Sequence, residues 1–151
     1  MSEPRWPLPE PMRGALAQAR AGAAAGAVPI GAVVVRDGVV IAAAHNGPRD
    51  CHDPTAHAEI LAIRAAAAAL GQDRLEGCDV WVTLEPCAMC AGAMVHARVA
   101  RVYYAAPDPK GGAVEHGARV FESALHKPEV YAGLGESESA ALLRQFFQDR
   151  R

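Results

Sequence analysis

Apolar residues change their spacing several times along this chain, and each change marks an element. Met12, Ala15, Leu16, Ala19 and Ala23 recur at steps of three and four, which predicts a first helix over Met12–Ala25 after Pro9-Glu10-Pro11, with Gly26 as its stop. The pattern then becomes nearly continuous in Ile30–Val35 and Val39–Ala43, two β-branched runs around Arg36-Asp37-Gly38. Asp-Gly between such runs predicts a hairpin, because the pair tolerates the left-handed angles of a type I′ turn. Runs with so little alternation suit strands covered on both faces. A polar loop from Asn46 to Asp53 leads into a helix with Asp53 or Thr55 as its cap, carried by Ile60, Ile63, Ala67 and Leu70 and closed by Gly71.

Val80–Leu84 reads as a third strand, followed by a helix to about His96 and a fourth strand over Val99–Ala105. Strand, helix, strand at that length is a βαβ unit, which predicts parallel pairing. Pro107–Gly117 is a glycine-rich loop, and Ala118–Leu134 carries the weakest signal: a short helix or turn at Val120–Leu125 and a short strand at Val130–Ala132. Ser137 or Ser139 is expected to cap a last amphipathic helix through Leu142, Leu143, Phe146 and Phe147. The expected fold is a three-layer α/β/α domain over residues 1–151, a mixed five-stranded sheet with helices on both faces.

Composition narrows the setting. At 151 residues and 51% apolar content, the chain has enough material for a core of its own. A formal charge of −2 offers no overall pull on nucleic acid, so any RNA contact needs a local basic surface. Four cysteines without a leader-like apolar run in Met1–Pro11 point to a reducing cytoplasm and metal binding rather than disulfides. Ala15–Val28 is too short and too often interrupted to span a membrane.

The candidate chemistry centres on Thr83-Leu84-Glu85-Pro86-Cys87-Ala88-Met89-Cys90. Pro86 suits the first position of a helix, which places both thiols in or beside its first turn, where free amide N–H groups favour thiolate. Upstream, His57-Ala58-Glu59 offers an imidazole and a carboxylate at another helix start. His57, Cys87 and Cys90 make three zinc ligands with a fourth position left for water, the arrangement of a catalytic Zn²⁺ site. A redox pair or a structural zinc knuckle is the competing reading of Cys-x-x-Cys alone; the combined H-x-E and P-C-x-x-C pattern favours hydrolytic zinc. Glu59 could be a ligand, but would then fill the open position, so a proton-shuttling role is preferred.

Other residues carry weaker signals. His52 could compete for the metal but reads better as a loop residue of the Asp53-Pro54 turn, while Cys51 reads as a loop thiol and Cys78 as a small apolar residue near a strand start. Asn46 either shapes its turn or reads a purine edge. Lys110, in Asp108-Pro109-Lys110-Gly111-Gly112, and the terminal Arg150 and Arg151 are the basic residues whose positions suit phosphate. Phe147, at a turn edge of the last helix, offers a face for base stacking, whereas the periodicity directs Phe146 inward.

With these motifs in view, the chain resembles the bacterial tRNA-specific adenosine deaminases of the cytidine deaminase-like superfamily. Agreement is densest in Pro29–Val33, Asn46, His52–Glu59, Thr83–His96 and Asp108–Ala113. The zinc motifs specify the superfamily, whereas Ala91–His96 and the Asp-Pro-Lys-Gly-Gly loop favour the tRNA branch. The resemblance implies a homodimer converting the wobble adenosine of a tRNA anticodon stem-loop, typically an arginine tRNA, to inosine, with one zinc per subunit and no organic cofactor. It implies zinc on His57, Cys87 and Cys90, proton transfer by Glu59, and base contact by Asn46 and the backbone near Ala58. It also implies RNA contacts from the last helix, including Phe147 and the arginines after it. Two stretches depart from the family pattern: Val114-Glu115-His116-Gly117 with Leu125-His126-Lys127-Pro128, and a short tail in which Gln148-Asp149 precedes the arginines. The rival readings are a deaminase of free guanine or cytosine and a non-catalytic zinc module.

Overall fold

The computed structural model describes residues 7–150. Asp37 and Gly38 hold φ values of 51° and 76°, and Arg36 pairs with Val39. β1 (Gly31–Arg36) and β2 (Val39–His45) therefore form the expected hairpin. Val34 pairs with Ala42 but Val35 with Val40, so Ile41 is an extra residue that bulges β2. The sheet continues through β3 (Cys78–Leu84), β4 (Arg101–Ala106) and β5 (Glu129–Ala132) in the order β2-β1-β3-β4-β5. β1 is antiparallel to both its neighbours, whereas β3, β4 and β5 run parallel.

Strand alternation separates two cores. Ala32, Val34, Val80, Val82, Val102 and Tyr104 face α2 (Ala58–Leu70) and α3 (Ala88–His96). Val33, Val35, Trp81 and Ala105 face the opposite way, towards α1 (Glu10–Ala24) and Leu142 of α4 (Glu136–Gln148). This is the expected mixed sheet with helices on both faces. Trp81, Tyr103 and Tyr131 stack in register across β3, β4 and β5 with centroids 3.7 and 5.0 Å apart. Among the described residues, no helix is long and apolar enough to cross a membrane.

Several boundaries differ from the sequence reading, each for a local reason. α1 ends in a Schellman turn, with Gly26 N–H bonded to Ala23 and Ala27 N–H to Gly22, so Gly26 at φ 85° stops it as expected. β2 is an edge strand, and its apolar run did not signal two covered faces: Val39 is 61% exposed. Val99 belongs to the turn before β4, because Arg98 at φ 61° closes α3 and sends the Val99 N–H back to Met94. Val120–Leu125 contains only one 3-10 turn, Val120–Glu122. α4 starts after Gly135, at φ 85°, instead of at a serine cap. Ser139 is buried within the helix and donates to the Thr83 carbonyl at 2.5 Å, which ties α4 to the end of β3.

α1 reaches β1 through one glycine. A Cβ on Gly31 would stand 2.0 Å from the Ala15 carbonyl oxygen and 2.6 Å from the Ala19 nitrogen, both of them backbone atoms that cannot rotate aside. We expect Gly31→Ala to destabilise the protein by about 1–3 kcal/mol or more, the range for overpacking. Gly14→Ala, whose Cβ would meet only Val33 Cγ1 at 3.6 Å, should be neutral or stabilising by up to ~1 kcal/mol as a helix-interior glycine. Urea denaturation of the two variants checks both values; equal stability would remove Gly31 as the point of closest approach.

Candidate active site

Two helix starts meet beside the end of β3. His57 occupies the N-cap position of α2 with extended φ and ψ, and Cys87 occupies the same position in α3. Cys90 lies three residues on, in the first turn. Pro86 therefore stands before the cap instead of at the first helical position, and the α2 cap is His57, neither Asp53 nor Thr55. Asp53 makes a smaller turn of its own, its Oδ1 accepting from the Thr55 N–H at 2.9 Å and hydroxyl at 2.7 Å.

The three expected ligands come together. His57 Nδ1 lies 3.6 Å from Cys87 Sγ and 3.4 Å from Cys90 Sγ, and all the donor atoms are within 4.8 Å of one another. Tetrahedral zinc, with bonds of about 2.3 Å to sulfur and about 2.0 Å to nitrogen, requires sulfur and nitrogen roughly 3.6 Å apart. The donor set and its spacing thus fit zinc. Without metal, the hydrogen bond from the Cys90 thiol lowers the Cys87 pKa to about 5, helped by the Cys90 amide and by His57. Donation to Cys87 and burial push the Cys90 thiol in the opposite direction.

Glu59, in the first turn of α2, is only 4% exposed and close enough to Cys90 and Cys87 to interact with both. Burial raises its pKa above the ordinary carboxylate value, against the pull of its own amide and of His57. Asn46 accepts the Ala58 N–H on its Oδ1 at 2.8 Å, capping the first amide of α2 from outside the helix. The backbone near Ala58, expected to seat a base, thus has its Ala58 amide bonded to Asn46. Asn46, Pro48, His52, Pro54 and His57 help line an open cavity of about 420 Å³.

The remaining candidates lie farther out. His52 is exposed at φ 53° and does not belong to the ligand cluster. Cys51 is exposed, and Cys78 is fully buried at the start of β3, as expected. Lys110 projects from a turn closed by Asp108, whose Oδ1 accepts from the Lys110 and Gly111 amides. Phe146 is buried and Phe147 is 53% exposed, while the Arg150 guanidinium sits 3.6 Å over the Phe146 ring. Phe146 and Phe147 belong to α4, in the layer opposite α2 and α3, and Arg150 follows its end. Arg151 lies outside the described residues.

Glu85 was missed by sequence reasoning. A carboxylate before proline resembles an ordinary surface residue, yet its side chain is wholly buried. Burial alone would raise its pKa; hydrogen bonds from Asp108, His116, Glu115 and Val114 overcome that and hold it below the usual value.

Residues 9–151 match the family model of the MafB19-like deaminases. The chain is 58% identical over 139 residues to the tRNA-specific adenosine deaminase of Agrobacterium fabrum, covering 91% of each chain. A solved tRNA:A34 deaminase, studied for A-to-I editing at the wobble position of transfer RNA, superposes with a TM-score of 0.86 at 56% identity, over 88% of this chain and 98% of that one. The guanine deaminase of Nitrosomonas europaea gives a TM-score of 0.78 at 28% identity, over 95% and 87% of the two chains.

The ligand geometry predicts about one zinc per chain in purified protein, with Cys87→Ala and Cys90→Ala each losing most of it. Glu59→Gln should keep full metal, since its carboxylate is not needed as a ligand. Elemental analysis of the three variants checks this assignment, and loss of zinc from Glu59→Gln would make Glu59 a ligand instead.

Proposed function

The chain belongs to the tRNA-specific adenosine deaminases within this deaminase family, and we propose that it converts the wobble adenosine of a tRNA anticodon to inosine. The observation that carries the reading is a buried carboxylate, Glu59, set beside a three-donor cluster whose spacing suits zinc. His57, Cys87 and Cys90 would hold the zinc, which would supply a water acidified to near neutral pH as the nucleophile.

Glu59 does the proton work. Its carboxylate takes a proton from the attacking water and passes it to N1 of adenine as the oxygen–C6 bond forms. The carboxylate then takes the proton of the new C6 hydroxyl and delivers it to the exocyclic nitrogen, so that the C6–N bond breaks, ammonia leaves and C6 becomes the carbonyl of inosine. A carboxyl with a pKa raised by burial is well matched to accept and return protons in this way. Asn46, with Oδ1 committed to the Ala58 amide, presents its NH₂ to an acceptor on the purine. The base has to leave its stack to reach the cavity, which costs least in a single-stranded anticodon loop.

RNA affinity for a chain of net charge −2 needs local contacts. Lys110 suits a phosphate, and Phe147 with Arg150 and Arg151 suits a flanking base and the backbone beyond it. Phe146 lies about 10 Å along the α4 axis from Ser139, at 1.5 Å per residue, and Ser139 is fixed at the end of β3. One stem-loop that touches both the cavity and Phe147 would have to round the sheet edge or reach a second subunit, which supports a homodimer. The substrate would be an arginine tRNA and the compartment the cytoplasm. The likeness to a guanine deaminase keeps a free-base deaminase as the second reading.

Mass spectrometry of nucleosides from tRNA incubated with the zinc-loaded protein should show inosine at the wobble position, with free guanine and cytosine unchanged. The reverse outcome selects the free-base reading. Glu59→Ala should bind the same RNA with activity reduced by about 10²- to 10⁴-fold, the usual contribution of a general acid–base group. Phe147→Ala should weaken stem-loop binding by about 1–3 kcal/mol, and Arg150→Ala should flatten its salt dependence. A salt-series titration that matches wild type for both would remove α4 from the RNA site.

A further inference from the structure

Glu85 sits between β3 and the ligand Cys87, but its hydrogen bonds point away from both. Oε1 accepts from the Asp108 amide at 3.0 Å and from His116 Nδ1 at 2.7 Å. Oε2 accepts from the amides of Val114, Glu115 and His116 at 3.2, 3.0 and 3.1 Å. Every one of these donors belongs to residues 108–116, the loop that leaves β4 at the edge of the sheet where the ligand cluster lies.

The loop is wrapped on that carboxylate with no space between them. A Cβ on Gly112 would stand 2.5 Å from Glu85 Cδ and 2.6 Å from the Asp108 carbonyl oxygen. Ala113 donates to the Pro86 carbonyl at 2.9 Å, the peptide that joins directly to Cys87. Tyr104 of β4 donates its hydroxyl to Glu115 and steadies the far side of the loop. Opposite this anchored side, the Asp108 turn projects Lys110 into solvent. The carboxylate thus holds an exposed cation at a set place relative to the metal ligands, although it touches neither.

We propose that Glu85 is a positioning residue for the RNA substrate, with His116 as its side-chain partner: it shapes the 108–116 loop and so places Lys110 against the backbone beside the reacting base. This rests on the tRNA reading above. The demand for a carboxylate is specific. Each of its oxygens faces at least two donors, so a glutamine in either orientation would turn an NH₂ towards N–H groups and leave buried donors unpaired. His116 is replaceable by any side chain that donates at the same place.

The test uses full-length, zinc-loaded Glu85→Gln. Amide hydrogen exchange should speed up at least about tenfold in residues 108–116 and nowhere else, the equivalent of roughly 1.4 kcal/mol. Zinc content should be unchanged, Kd and KM for an anticodon stem-loop should rise about tenfold, and kcat should stay within about twofold. His116→Ala should show the same pattern more weakly, with His116→Asn restoring most of the loss, and this pair carries the test if Glu85→Gln does not fold. Unchanged exchange overturns the proposal. So does fast loop exchange with unaltered RNA affinity, which would make the loop no part of the RNA site. Loss of zinc or a fall confined to kcat also overturns it, since Glu85 would then serve Cys87. A wild-type protein that neither binds nor deaminates the stem-loop instead removes the tRNA reading, an outcome distinct from a variant that merely equals an active wild type.

Discussion

Everything at this site depends on holding side-chain donors from two helix starts within 4.8 Å of one another. His57 and Cys87 are both N-cap residues, so the distance between them is the distance between the starts of α2 and α3. Small side chains on the shared face, Ala58, Ala62, Ala66 and Ala91, let both helices lie close to the sheet. N-cap placement also gives the ligands their chemistry, since the unpaired amides of a first turn favour a thiolate. Asn46, the residue after β2, completes the arrangement, because its bond to the Ala58 amide fixes where α2 begins.

The other face of the sheet works as a brace. α1 touches β1 at Gly31, where only hydrogen fits, and the Gly31 amide donates to the buried Thr83 hydroxyl at 3.1 Å. The Thr83 carbonyl in turn receives the Ser139 hydroxyl. Helix, strand and helix are therefore linked two residues before Glu85, so a shift of α1 or α4 would be felt by the strand that leads to Cys87. Polar groups buried this deeply are costly unless paired, and here one pairing joins neighbouring strands and the other joins the sheet to α4.

Glu59 and Glu85 show one residue type in two buried settings. Glu59 has few donors, and burial raises its pKa, leaving it able to take and return a proton. Glu85 is surrounded by donors, and although burial works against its charge, they keep its pKa low, leaving it a fixed anion that organises a loop. Its contribution to stability is present above the pKa of an unfolded glutamate and is lost as pH falls through its lower folded value. Number of donors, and not burial, separates the two pKa directions.

Local pattern was enough for the elements whose causes are local. Asp37-Gly38 specifies its turn by backbone angle, Gly26 and Gly71 end their helices by adopting positive φ, and the spacing of Cys87 and Cys90 places both in one helical turn. The clustering of His57, Cys87 and Cys90 was legible for the same reason, since each half of the motif sits at its own helix start. What the chain alone did not disclose depends on partners far away in sequence. That β2 is an edge, and so half exposed, follows from the strand order; that Ser139 bonds to β3 instead of capping α4 follows from where the helix docks. Glu85 and its donors are 23 to 31 residues apart, and no local period marks such a pairing. Residue types at two helix starts were enough to name the side chains that could bind a metal and carry a proton. That a second carboxylate lies buried beneath a loop emerges only with the fold, because burial and hydrogen-bond partners exist only once the sheet has brought β3 and the end of β4 side by side.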